Sequence, residues 1–323
     1  MTSLSVNDRK DFVDGQMKYW RQIAESDGFD IDDVPVPRGT RAGLWSVDCK
    51  HPRFRLRACL PKIYAMVGLH RYNLLRGTNF EHLELLKYNE SMNCVCSYYI
   101  TSVAVDLSSQ LQKTFQIRVD EKSFGDLDLT VSVARPNDEE KVTTEKRFIH
   151  HFHCEAAADD FYKGALPDWP SVGDLNNQKR FYMVKKCELQ SNDWIRLYLE
   201  LAVGVRYQQT SEVWFASNCC CMQSDLSKLQ VLKVAIETKE EDVQPPNRRL
   251  KSKSLHVYIT FKGLAKAPIG DEIGEHVERK AIVRRVIDER SGHLTLLGGF
   301  SNAKNDLNQS SDDEQPFGKR RRI

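Results

Sequence analysis

The stretch TNFEHLELLKYNESMNCVCSYYITSVAV, residues 78–105, holds an imidazole at His82, thiols at Cys94 and Cys96, and phenols at Tyr98 and Tyr99. A thiol activated by a neighbouring imidazole is a nucleophilic pair, so thiol chemistry is one reading of these residues. The spacing favours another. Residues two apart in a strand point to the same face, so both thiols look the same way. Redox and zinc pairs instead use two intervening residues at a turn, and zinc needs a second pair besides. Neither an acid nor an oxyanion element stands beside His82. The flanking residues are β-formers, among which cysteine behaves as a small buried hydrophobe. Cys94 and Cys96 are therefore expected to pack rather than react.

The other clusters divide the same way. In FIHHFHCE, alternation puts His151 and His153 on one side and His150, Phe152 and Cys154 on the other. Two imidazoles on one face can hold a metal only if another element adds ligands, and the sequence names none. Cys219, Cys220 and Cys221 are adjacent, and a regular strand cannot aim all three at one ion. SDGFDIDD invites a calcium-loop reading. Aligning its glycine puts Ile23 and Val34 at positions that demand carboxylates, so a solvated turn after a helix is preferred. Gly298-Gly299 is not followed by a helix carrying a lysine, and neither a nucleophile elbow nor HExxH occurs. No catalytic, cofactor-binding or metal residue is expected. His82, Cys94, Cys96, His151 and His153 are the weak candidates.

The elements that would carry these groups follow from periodicity. Residues 11–25 suit a short helix, closed by Ser26-Asp27-Gly28 and followed by a Pro/Gly arm to Gly43. Ile63, Met66, Val67, His70 and Leu74 mark a helix from Leu60 to Leu75, with Pro61 in its first turn and Gly77 at its end. The period then changes from 3.6 to 2. Four strands are expected around Leu83–Leu85, Val95–Val105, Phe115–Val119 and Leu127–Val133, each with one apolar face. Pro167 and Pro170 mark a boundary. Beyond them Ile195, Leu197, Leu199, Leu201, Val203 and Val205 alternate as a long strand, followed by strands at Leu232–Ile236 and Leu255–Phe261. A basic loop spans 243–254, and a hairpin is centred on 289–293. Runs of strands after a helix give an α+β class: a helix packed on an antiparallel sheet, then a second, mainly antiparallel β unit. The corresponding division is 1–50 helix and arm, 51–165 helix-plus-sheet unit, 166–300 second β-rich unit, and 301–323 disordered polar tail.

Composition bounds the function. The 323 residues carry 47 basic and 45 acidic groups, net +2, which gives no global attraction to nucleic acid. No segment approaches the roughly 18 apolar residues of a membrane span, and the first residues lack the apolar core of a secretory signal. Nine cysteines are an odd number, so reduced thiols in cytoplasm or nucleus are expected. Lys319, Arg320, Arg321 and Arg322 form a basic run behind Asp312, Asp313 and Glu314. Nuclear import and simple solubilisation both remain open for it.

The runs GLHRYNLLRGTNFEHLELLKYNESMNCVCSYYITSVAVD, FGDLDLTVSVARP and LQSNDWIRLYLELAVGVR resemble a plant-specific family of uncharacterised proteins. That family is much duplicated in crucifers, with members named for embryo-defective and male-sterility loci. The resemblance covers about residues 19–300. It implies plant origin and a part in reproductive or embryo development, and it carries over no catalytic residue. The helix-then-strands order of 60–134 is also similar to the cystatin and monellin architecture. Inhibitory cystatins use a QxVxG hairpin, and the matching turn here, LKYNESMNCVC, lacks it. The expectation is a non-enzymatic interaction module with an unknown protein partner. The alternatives are cysteine-protease inhibition, or small-ligand or thiol chemistry on a cystatin-like scaffold.

Overall fold

The structure is a computed structural model that describes residues 6–40, 43–51, 58–93, 95–139, 159–210, 222, 225–264 and 274–301. The helix expected from 60–75 is present as Cys59–Arg76 (α2), after a first helix, Val6–Glu25 (α1), and a short strand, Leu44–Asp48 (β1). Gly77 ends α2 at φ 67°, a left-handed conformation that suits glycine, and donates its N–H to Asn73 O at 2.8 Å. Gly68 is not the weakness its helix propensity suggests. It lets α2 approach the sheet so closely that an added Cβ would collide with Ile117.

Four antiparallel strands follow: Phe80–Ser91 (β2), Ser97–Asp106 (β3), Gln112–Glu121 (β4) and Leu127–Pro136 (β5). After two short helices, Val172–Leu175 (α3) and Lys186–Gln190 (α4), with the three-residue strand Phe181–Met183 (β6) between them, comes Trp194–Thr210 (α5). The chain ends in Gln230–Glu237 (β7), Leu255–Lys262 (β8), Arg279–Ile287 (β9) and Leu294–Ser301 (β10). All ten strands form one sheet in the order β1-β2-β3-β4-β5-β10-β9-β8-β7-β6. The two halves have one topology: edge strand, helix, four antiparallel strands. They meet along their last strands, where Leu294–Gly298 of β10 pairs antiparallel with Leu127–Val131 of β5. At that seam Gly298 lies against Leu127, whose Cδ2 would be 2.6 Å from an added Cβ. The α+β class stands, and the second unit, like the first, carries a helix.

That helix overturns one sequence expectation. Residues 194–205 form α5, not a strand. Ile195, Leu197, Leu199, Leu201, Val203 and Val205 are all buried, but so are Trp194, Tyr198 and Ala202 between them. A helix packed against both the sheet and the neighbouring α2 is apolar over most of its circumference, so period-2 alternation is an accident of composition. Arg196 and Glu200, bonded at 2.7 Å, are the i,i+4 pair that marks the true period.

Helices α2 and α5 lie on one face and share a single core with Tyr88, Ile100, Phe115, Val257 and Val283 from both halves. The opposite face is covered in two patches. Tyr19 and Ile23 of α1, with Phe29 and Ile31 of the arm, cover Tyr99. Leu166, Trp169 and Leu175 cover Tyr258, Phe181 and Ile282. The segment expected as an exposed basic loop is a 3-10 turn, Pro246–Lys251, in which Arg249 is fully buried. No helix among the described residues is long and apolar enough to cross a membrane.

Candidate functional site

Of the sequence candidates, the described residues include His82 and Cys96, and these two lie apart. His82 pairs with Ala104 near the end of β3, whereas Cys96 immediately precedes Ser97 at its start. Eight residues of strand separate the two positions, roughly 25 Å at about 3.3 Å each. Burial, then the nearby Lys62 charge, push the His82 imidazole down to about 4, so it is neutral. The Cys96 thiol donates to Asn93 O at 3.1 Å and closes the β2–β3 turn, while Cys96 N donates to Glu121 Oε2 at 3.2 Å. Tyr64 donates to the other oxygen of Glu121 at 2.5 Å, and burial followed by that carboxylate pushes the phenol up. Cys94, His151, His153, Cys219–Cys221 and the tail Lys319, Arg320, Arg321 and Arg322 lie outside the described residues.

The remaining described cysteines are Cys49, buried, and Cys187, exposed, both free; Cys59 is disulfide-bonded. That bond departs from the all-reduced expectation, because a residue count says nothing about which distant thiols the fold brings together. Among the described residues no group of three or more His, Cys, Asp or Glu side chains is placed to hold a metal.

Sequence reasoning missed the densest ionisable cluster, which lies under the 160–175 segment. Glu237, 1% exposed, accepts from Tyr258 at 2.6 Å and from Arg180 Nε. His256, its cross-strand partner, places Nδ1 at 3.4 Å from Glu237 Oε2. Burial raises the carboxyl, but His256, Tyr258 and Arg180 outweigh it and hold Glu237 at about 2. The arrangement has the acid–imidazole half of a catalytic triad and not its working end. Arg284 Nε donates to His256 Nε2 at 3.0 Å. A guanidinium only donates, so Nε2 must accept, and the proton of the neutral ring sits on Nδ1 facing Glu237. The Phe161 and Tyr162 rings lie 5.2 and 5.4 Å from the imidazole. Among the described residues, Tyr258, Arg180, His256 and Arg284 link to one another through Glu237 and the imidazole. The cluster's signal was present as Glu-Thr at the end of one strand and His-Val-Tyr at the start of the next, but it becomes readable only once β7 and β8 are in register.

A second polar island lies between the helices. Arg285 is fully buried, stacked 4.5 Å over Trp194, with Nη1 at 3.1 Å from His70 Nε2 and Nη2 donating to Ser252 O. Burial, then the Arg285 charge, keep His70 well below its ordinary value. Ring faces and carbonyls balance this cation.

What stays open is the rim. Strand β1 is the sheet's outermost strand on one side and pairs only with β2. Met92 N donates to Gly43 O, and Cys49 N to Leu86 O, each at 3.0 Å. These bonds set the odd-numbered residues of β1 as the hydrogen-bonded pairs with β2, and the even-numbered ones turn their backbone groups outward. The outward Leu44 N–H is met by the Tyr19 hydroxyl at 2.9 Å, and Asp48 O accepts from His51 at 3.3 Å. Leu44 O, Ser46 N, Ser46 O and Asp48 N are the outward groups left among the described residues. Trp45 beside them is 48% exposed, and Met92 is exposed as well.

This chain is 97% identical over its whole length to the UPF0725 protein At3g19520 of Arabidopsis thaliana, covering all of that protein. It belongs to the UPF0725 family. Two further UPF0725 members from Arabidopsis thaliana match it, At1g23960 at 46% identity over 89% of this chain and 94% of that protein, and EMB2204 at 42% over 86% and 78%. A family model described as Protein MS5 matches residues 166–296 of the UPF0725 chain. The crystal structure of MS5 from Brassica napus has a similar fold, with a TM-score of 0.54 and 27% identity over 78% of this chain and 99% of that one. UPF0725 is thus a plant family, with relatives whose names refer to embryo and male-sterility phenotypes.

Proposed function

We propose that the protein is a non-enzymatic interaction module of plant cells, working in cytoplasm and nucleus, with a part in reproductive or embryo development. The observation that carries the reading is the β1 edge, whose Leu44 O, Ser46 N, Ser46 O and Asp48 N are left outward among the described residues, with the exposed Trp45 beside it. Sheet edges recruit partners by adding a strand, and exposed tryptophans anchor such contacts. The buried ionisable clusters support the same reading, since Glu237 accepts from Tyr258 and Arg180, and Arg285 donates to Ser252 O, all within the fold. The names EMB2204 and MS5 carried by two similar proteins support the developmental assignment. The basic run Lys319–Arg322 supports nuclear entry.

Affinity capture from floral and seed tissue, with the wild-type chain beside Trp45→Arg, tests the reading. Proteins retained by the wild type and lost from the variant, then reconstituted with purified components, are the expected result. No specific partner at any salt concentration would remove the proposal. A reporter fused to the full chain, beside one ending at Gly318, tests nuclear entry.

A further inference from the structure

We infer that β1 pairs with β1 of a second copy of this chain, joining two ten-stranded sheets about a twofold axis through Ser46. This rests on the reading of β1 as a binding edge and names its occupant. In an antiparallel pairing centred on Ser46, each Ser46 N–H donates to the other Ser46 C=O. The next hydrogen-bonded positions bring Asp48 of one copy opposite Leu44 of the other. A complete ladder there would need Leu44 N–H to donate to Asp48 C=O and Asp48 N–H to donate to Leu44 C=O. The first of those bonds is already spent: Tyr19 holds Leu44 N–H and His51 holds Asp48 C=O. The second is open at both ends. The groups that the fold satisfies internally are thus the mutual partners the dimer does not use. Of the groups left over, Ser46 N and Ser46 O match those of the second copy across the axis, while the Tyr19 hydroxyl and the His51 N–H stand in the gap at the flanking Leu44–Asp48 positions and end the ladder there. An isologous twofold contact requires this self-complementarity, whereas an unrelated strand would not.

The side chains agree. Trp45 stands on the same face as buried Val47, and the twofold sets Trp45 opposite Val47 of the second copy at a non-hydrogen-bonded site, where side chains approach most closely. Ser46 projects from the other face and donates to Asp32 at 2.7 Å, and Lys87 at 2.7 Å neutralises that carboxylate. Lys87 also holds Asp30 at 3.1 Å, so each copy brings one ammonium and two carboxylates near the axis.

Sedimentation velocity from about 1 to 500 µM is the primary test, with the full chain. A strand-edge contact of small area is weak, so a concentration-dependent dimer in the micromolar range or above is expected. Ser46→Pro removes the two central donors. Its N–H points away from β2, a position where an edge strand accepts proline, so the circular dichroism spectrum should be unchanged while dimer affinity falls at least tenfold. Ser46→Cys gives a second readout that does not depend on tolerating proline. Opposed hydrogen-bonded residues have Cα atoms about 5.5 Å apart, within disulfide reach, so mild oxidation should join the two introduced thiols in a crosslink found by mass spectrometry.

A wild type that is monomeric throughout, a dimer indifferent to Ser46→Pro, or a Ser46→Cys variant whose introduced thiol crosslinks only to native cysteines would each overturn the self-pairing. Capture from plant tissue separates this failure from failure of the broader reading. If Ser46→Pro loses captured proteins while the wild type is monomeric, the edge serves another chain. If it loses nothing, the edge reading falls too.

Discussion

Replacing Glu237 with glutamine keeps the shape of the side chain and removes its charge, which isolates what that carboxylate contributes. In the folded protein Tyr258 and Arg180 donate to it, His256 stands at 3.4 Å, and its carboxyl lies at about 2 against an ordinary 4.5. A difference of about 2.5 units is worth about 3 kcal/mol at neutral pH. Arg180 is half exposed, so water screens its share and the figure is an upper value. Because the folded value is the depressed one, this stability is fully present above about pH 4.5 and is lost as pH falls towards 2. Linkage leaves about 1.4 kcal/mol at pH 3. Urea unfolding of the wild type and Glu237→Gln at pH 7 and pH 3 reads the difference directly. The variant should be less stable by about 2–3 kcal/mol at pH 7, and the gap should halve at pH 3. A gap below about 1 kcal/mol at pH 7, or one unchanged at pH 3, would refute the account of the cluster as a carboxylate held by its donors.

Gly68→Ala should cost about 1–3 kcal/mol despite alanine's better helix propensity, because its Cβ enters Ile117; thermal unfolding measures it, and a stabilised variant would disprove the close approach. The His82 imidazole should titrate near pH 4 by NMR, and a midpoint close to 6.5 would place it in water. Among the described cysteines, a thiol reagent followed by peptide mapping should label exposed Cys187 first. Cys49, buried and pushed up to about 12, should label only on unfolding. Rapid labelling of Cys96 would instead revive the thiol reading that its bond to Asn93 O opposes.

Where one face of an element is polar, its pattern in the sequence matched its structure. The strands at 115–119 and 127–133 alternate because one side meets the shared core while the other carries polar residues such as Gln116, Arg118 and Thr130, buried though these are, and α2 kept its period because Lys62, Asn73 and Arg76 mark the outer side. The pattern failed for α5, which is enclosed by sheet and helix, so that only Arg196 and Glu200 betray the turn of the helix. The ionisable clusters were illegible for a different reason. Glu237 and His256 are 19 residues apart in the chain, and Arg284 is 28 beyond His256; only the β7-β8-β9 register lines them up. The β1 edge was hidden because its openness depends on which backbone groups Tyr19 and His51 have taken. No single-sequence pattern encodes that.

The duplicated layout puts one outermost strand at each end of the sheet, and the two are not equal. Were both free to accept a neighbour, copies could add end over end without limit, and the molecule would become the subunit of a fibre. The far end forestalls this: β6 is three residues long, and Phe181 already gives its N–H to Asn177 at 2.8 Å. If β1 pairs as inferred, the short and partly engaged β6 edge disfavours growth from the far end.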